Sequence, residues 1–280
     1  MHSPAKGMGA ALEEPGSSLG AARPSAPQPG GPDAAAQPAT FQQLASSLNL
    51  HDLADVPLPQ GRIAPCQLLR CAKLDGLAPE SWRLLVDECR PGLVVDLRTN
   101  QEIPSRFGLF SRSAQSTCAP CACVNLPLEG LGLLMTPWQR SFGPAWVRMR
   151  RKLWANPQPM FEKMYAAMVL DAENRQVMGR FFQLALAPRD GALMWHCAQG
   201  TDRTGVMAAL FLEVLGATRE SILEHHAACY AHSAPADPRP QLRTAYKAIE
   251  DAYGSVQAYL EQGLGIAPAL QQNLRQRYLA

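Results

Sequence analysis

The chain has 280 residues, a formal net charge of +2 and 47% apolar residues. That apolar share supports a sizeable core, and the near-neutral charge offers no basic stripe for a nucleic-acid partner. No run of about eighteen apolar residues marks a membrane span. The opening Met1-His2-Ser3-Pro4-Ala5-Lys6-Gly7 is followed by no apolar stretch of the kind a secretory signal needs. The expected location is therefore cytoplasmic, or outside the cell by a route without a standard signal peptide.

In chain order, residues 1–40 are dominated by Ala, Gly, Pro and Ser, and Arg23 to Pro32 cannot build a packed element. They are expected to form a disordered tail, and residues 41–280 fit one domain. Ile63 to Ala72 predicts a strand, Pro79 to Cys89 a short helix opened by its proline, and Gly92 to Arg98 a buried strand with a polar end. Cys123 to Leu128 predicts a strand near a sheet edge, because Pro127 cannot donate to a ladder. Helical patterns follow Phe161, Thr204, Thr218, Leu242 and Pro268. Strands interleaved with helices predict an α/β fold with a central, mostly parallel sheet flanked by helices. Ligands in such folds gather at the carboxyl ends of the strands, where Asp96, Arg98 and Cys197 are all expected.

The stretch Trp195 to Val206 reads W-H-C-A-Q-G-T-D-R-T-G-V. The apolar run Gly191 to Trp195 predicts a strand, and Thr204 to Leu215 a helix capped by Gly216. A strand, a tight loop and a helix N-terminus together aim unpaired amides at one point, a cradle for an anion. Cys197 is expected at its mouth, where such a field favours the nucleophilic thiolate. Arg203 brings a planar fork that holds two oxygens of a phosphate. The backbone from Ala198 through Gln199, Gly200, Thr201, Asp202 and Arg203 would wrap the phosphate, with Gly200 permitting the close turn. Thr204 is a candidate hydrogen-bond partner for the sulfur. The chemistry is phosphoryl transfer through a cysteinyl-phosphate, with no metal or cofactor.

His196-Cys197-x-x-Gly200-x-x-Arg203-Thr204-Gly205 resembles the Cys-x5-Arg signature of the protein tyrosine phosphatase superfamily. Further segments resemble its bacterial tyrosine/serine (dual-specificity-like, phosphoinositide-capable) branch: Asn49-Leu50-His51-Asp52-Leu53-Ala54, Leu69-Arg70-Cys71-Ala72, and Val94-Val95-Asp96-Leu97-Arg98 with Glu102. Tyr253 to Leu260 and Leu264-Gly265-Ile266 resemble its closing helices, so the likeness runs over about residues 47–280. It implies a phosphatase acting on a phosphoprotein or a phosphoinositide. The family's loop carries lysine where this chain has Thr201, which weakens the case for highly charged inositol lipids. His51 and Cys71 replace the usual arginine and serine.

For the general acid, the resemblance implies Asp202, whose pKa a bound phosphate dianion should raise; Asp96 is the second candidate. His196 is expected to orient the loop. In the family, the region matching Trp138 to Trp154 forms a helical lid. Here Trp146, Met149 and Leu153 share one helical face and Arg148, Arg150, Arg151 and Lys152 the other, so residues 138–154 are also the candidate for peripheral membrane contact. Two other classes compete: a phosphate-binding module without turnover, against which the presence of both Cys197 and Arg203 speaks, and a different cysteine chemistry such as sulfur transfer or arsenate reduction, whose sites lack the full His-Cys-x-x-Gly-x-x-Arg-Thr-Gly pattern.

Eight cysteines are scattered along the chain, and a catalytic thiolate suits a reducing compartment. Cys118, Cys121 and Cys123 include a C-x-x-C, but no second ligand pair stands at zinc spacing, and small residues entering a strand are the expectation there.

Overall fold

The computed structural model describes residues 40–103, 121–134, 158–230 and 237–280, which all fall in the compact unit Gln37–Ala280. The predicted tail and the predicted lid over residues 138–154 lie outside the described residues, as does Cys118.

Among the described residues, five strands form one sheet in the order β1-β2-β5-β3-β4: β1 His51–Asp52, β2 Leu68–Cys71, β3 Pro91–Asp96, β4 Ala122–Asn125 and β5 Ala192–His196. Only β1, a two-residue strand that the pattern did not single out, runs antiparallel to its neighbour. Strands β2, β3 and β5 are buried along nearly their whole length, as expected of parallel strands covered on both faces. The predicted edge strand is at the edge, but β4 stops at Asn125, two residues before Pro127. The strand predicted from Ile63 is shorter than expected. Ile63 makes only an isolated bridge to Leu279, and Cys66 adopts a left-handed backbone (φ 56°) whose N–H bonds Asp52 Oδ2 at 2.6 Å. That turn after Pro65 delays the ladder until Leu68.

Among the described residues, the α-helices longer than one turn are α1 Phe41–Ser47, α2 Pro79–Cys89, α3 Gln158–Leu170, α4 Ala172–Ala185, α5 Asp202–Leu215, α6 Arg219–Ala228, α7 Arg239–Tyr253 and α8 Pro268–Tyr278. Helix α5 is apolar on every side and is buried from Thr204 to Leu212, so it threads the core. Thr218 caps α6 by accepting from Ser221 N–H, and Gly216 ends α5 in the left-handed conformation. On one face of the sheet, Trp195 from β5 stacks on Phe211 of α5 at 6.3 Å, and Phe181, Phe182 and Tyr278 close the aromatic cluster. The Trp195 indole N–H donates to the carbonyl of Thr204 at 3.2 Å, which ties the end of β5 to the start of α5 across the loop between them.

Register decides where that loop lies. Cys71 of β2 and Asp96 of β3 both stand level with His196 of β5, and Asn125 of β4 stands level with Asp96. Four parallel strands thus end on one line, and residues 197–201 sit above its centre.

Candidate active site

The loop from Cys197 to Thr201 is built by its carbonyls. The Cys197 carbonyl is 3.1 Å from His196 Nδ1; the Ala198 carbonyl accepts from Lys73 N–H at 3.2 Å; the Gln199 carbonyl accepts from the Asn49 amide at 3.3 Å. The Gly200 and Thr201 carbonyls both accept from Arg70 Nη2, at 2.7 and 3.3 Å. Five consecutive carbonyls are therefore drawn outward, and a trans peptide points its N–H opposite to its C=O. The amides that follow them, Ala198 to Asp202, turn to the other side. Among the described residues, no amide from Ala198 to Thr204 donates to a protein acceptor. With the N-terminus of α5 they form a nest of free donors. Gly200 makes the turn possible: its φ is +74°, and a Cβ there would lie 2.6 Å from the carbonyl carbon and oxygen of Cys71.

Cys197 sits at the base of this nest and is 3% exposed. Arg203 lies at its rim, where Nη1 and Nη2 donate to the two carboxylate oxygens of Glu102 at 2.5 and 2.6 Å, and Nη1 also reaches the Leu128 carbonyl at 3.4 Å. These contacts use the end of the guanidinium fork and one outer hydrogen. The edge formed by Nε and Nη2 keeps two parallel donors, the geometry that grips two phosphate oxygens. Burial disfavours the Arg203 charge, but pairing with Glu102 and the nearby sulfur of Cys197 outweigh it, so its pKa is raised.

Asp202 opens α5. Its Oδ1 accepts from Tyr165 at 3.0 Å and from Tyr230 at a shorter distance, its Oδ2 accepts from the Thr201 hydroxyl at 3.3 Å, and the two phenol oxygens are 2.7 Å apart. Both phenols are pushed well above the ordinary tyrosine value, first by burial and then by the Asp202 charge, so both remain protonated donors. Behind Tyr165, at 3.4 Å, stands Nε2 of His226.

The second acid candidate is placed differently. Asp96 is fully buried and accepts from the Arg98 backbone N–H, from Arg98 Nε on both oxygens, and from Arg98 Nη2 at 2.7 Å. Arg98 is itself clamped on its far side by Asp75. The pair lies at the strand ends as expected, but it forms a closed, buried ion triad below the loop. His196 is buried, and burial lowers its pKa. Its Nδ1 faces two acceptors, the Cys197 carbonyl and Asp96 Oδ1 at 3.8 Å, which assigns the proton to Nδ1. The expected bond from Thr204 to the sulfur is not made: its buried hydroxyl has no partner among the described residues.

Cys197, Arg203, Asp202 and the loop backbone, all expected at one site, lie together on this loop and the first turn of α5. Sequence reasoning gave no place at the site to Glu102, Asn49, Arg70, Tyr165 or Tyr230. The first three sit in the motifs quoted above, a signal that was available; the two tyrosines carry none. The Cys121 and Cys123 thiols lie on or beside the edge strand β4.

The profile of the tyrosine phosphatase family matches residues 42–280. A tyrosine-protein phosphatase of Nostoc commune is 28% identical over 147 residues, covering 52% of this chain and 42% of that protein, so this chain spans less than half of its relative's length. Two solved structures are similar: TpbA of P. aeruginosa, with 18% identity and a TM-score of 0.41 over 79% of this chain and 92% of that one; and the core catalytic domain of the PP-IP phosphatase SIW14 from S. cerevisiae, with 10% identity and a TM-score of 0.41 over 79% and 94%.

Proposed function

Because the chain belongs to the tyrosine phosphatase family, we propose that it hydrolyses phosphomonoesters through a phosphocysteine on Cys197, with phosphotyrosine in proteins as the preferred substrate and phosphoserine or phosphothreonine next. The single observation that carries this reading is the ring of amides from Ala198 to Thr204, without acceptors among the described residues, around a cysteine sulfur and closed by the Arg203 fork. Such a ring is complementary to the equatorial oxygens of a transferring phosphoryl group.

In the first step the Cys197 sulfur forms a bond to phosphorus, and the bond to the ester oxygen breaks. Asp202 gives its proton to that oxygen, and an alcohol or phenol leaves. In the second step a water oxygen bonds to phosphorus, Asp202 takes a proton back, and the sulfur–phosphorus bond breaks to release phosphate. Tyr230 and Tyr165 hold Asp202 Oδ1, so Oδ2 is the oxygen that carries the proton. Glu102 keeps the Nε–Nη2 edge of Arg203 turned to the phosphoryl oxygens. Protein over inositol-lipid substrate is supported by the buried, uncharged Thr201 at the loop position where a further cation would meet extra phosphates.

The test is turnover of a phosphotyrosine peptide, a phosphoserine peptide and phosphoinositide vesicles in chelator, beside Cys197→Ser. We expect the phosphotyrosine peptide to be hydrolysed fastest and the serine variant to lose activity by at least about a thousandfold, as removal of a covalent nucleophile does. Equal turnover by Cys197→Ser would overturn the assignment, and faster turnover of the lipid would overturn the substrate class.

A further inference from the structure

Arg70 lies on β2 and is fully buried. A guanidinium is charged at every physiological pH, and a buried one ordinarily faces a carboxylate. Among the described residues no carboxylate pairs with Arg70, and its Nε and Nη1 have no hydrogen-bond partner. Cys71, His225, His226 and Cys229 feel its charge. Burial holds each of these in its neutral form, and none offers a negative charge. Among the described residues, the acceptors of Arg70 are the Gly200 and Thr201 carbonyls.

Those two carbonyls belong to the peptides whose N–H groups face into the nest. A cation on the oxygen side of a peptide draws electron density through the amide and makes its N–H a stronger donor, the same polarisation that strengthens hydrogen bonds in a chain. Arg70 thus stands behind the cradle as Arg203 stands at its rim. An uncompensated buried charge is costly, and an anion at short range across the loop would balance it.

We infer that Arg70 is a second positive charge of the anion site, a positioning residue that acts through the Gly200 and Thr201 peptides and whose counter-charge is the phosphoryl group held on the other side. This rests on the proposed phosphoryl chemistry of the loop, but it assigns to β2 a role in affinity that the Cys-x5-Arg segment does not contain. Two features of the wall agree with it. Gly205 brings the first turn of α5 against this cation, since a Cβ there would lie 3.4 Å from Arg70 Nη2. His226, which abuts the same turn, has its pKa lowered to about 3 by burial and then by Arg70, so it adds no second charge.

The experiment is titration of the full chain with tungstate, an inorganic oxyanion that needs no turnover, by calorimetry at two ionic strengths. Variants are Arg70→Met, Arg70→Gln and Arg70→Lys, with cooperative thermal unfolding as the check on folding. We expect Arg70→Met to weaken tungstate binding about tenfold or more, and Arg70→Lys, which keeps the charge, to bind at least about fivefold tighter than Arg70→Gln, which keeps a donor without it. KM for a phosphotyrosine peptide should rise in the same order. If Arg70→Met does not fold, the comparison of Lys with Gln decides alone. Equal tungstate affinity in Lys and Gln, or a folded Met variant within twofold of the parent, overturns the inference while leaving the phosphatase reading intact. A parent chain that binds no tungstate overturns both.

Discussion

Arg203 and Glu102, 101 residues apart in the chain, meet fork to fork at 2.5 and 2.6 Å. The consequence is directional: one edge of the guanidinium is spent on the carboxylate so that the other faces the nest. Glu102→Gln leaves a single neutral acceptor and lets the fork swing. We expect kcat/KM on an aryl phosphate to fall by roughly 10- to 100-fold, the scale of a small misplacement of a binding group, with little change in melting temperature because Glu102 is 35% exposed on its side chain. Burial raises the Glu102 pKa, but the Arg203 pairing outweighs it and the net shift is downward. The pair therefore survives below the ordinary value of 4.5 and opens only as pH falls through the lowered one. The variant's deficit should be present throughout the neutral range, and an unchanged kcat/KM at pH 6 would refute the positioning role.

Asp202 can be separated from Asp96 by leaving-group dependence. Asp202→Asn should slow phenyl phosphate about 100- to 1,000-fold and p-nitrophenyl phosphate far less, because a good leaving group needs no proton. Tyr230→Phe should show the same trend at smaller size, since it releases one of the donors that fix Oδ1. Asp96→Asn, which breaks a buried ion triad, should lower thermal stability without steepening that dependence. A steep dependence in Asp96→Asn and a flat one in Asp202→Asn would reverse the assignment.

Gly200 is required twice over, by its positive φ and by the Cys71 carbonyl 2.6 Å from a would-be Cβ. Gly200→Ala should cost about 1–3 kcal/mol in unfolding free energy and abolish oxyanion binding, because relief of the clash turns the peptide whose N–H faces the nest. Chemical denaturation with and without tungstate checks both effects; retained tungstate binding would show that the loop tolerates another path.

The buried His226 predicts a pH limit on stability. Its pKa is lowered to about 3 from an ordinary 6.5, by burial first and the Arg70 charge second. Between these values the unfolded chain holds a proton that the folded chain does not. Stability is therefore full above about 6.5 and lost progressively as pH falls toward 3, by at most about 1.4 kcal/mol per pH unit for one group. Melting temperature should drop between pH 7 and 5, and His226→Gln should flatten that drop. An equally steep decline in the variant would place the effect elsewhere, with His225 the next candidate because burial lowers its pKa well below the ordinary value.

Helix α2 runs from Pro79 to Cys89, as the proline and the apolar spacing predict, and the strand–loop–helix around Cys197 was legible because each piece is a local pattern: an apolar run, a cluster of turn formers, an apolar helix ended by Gly216. The false strand start at Ile63 shows the limit of such patterns, since one left-handed residue, Cys66, interrupts an otherwise regular run. Asp96 and Arg98 were correctly expected at a strand end, yet periodicity could not say that Asp75 closes them into a buried triad.

The sequence by itself determined the candidate nucleophile and its spacing from the guanidinium, because six consecutive peptide links fix how Cys197 and Arg203 face one another around a turn. The tertiary structure alone decided what holds that turn open. Asn49, Arg70, Glu102, Tyr165 and Tyr230 reach the loop only because β5 lies between β2 and β3 and because α3 and the end of α6 pack beside α5. Strand order and helix packing are set by the burial of whole faces, which no short stretch of sequence records.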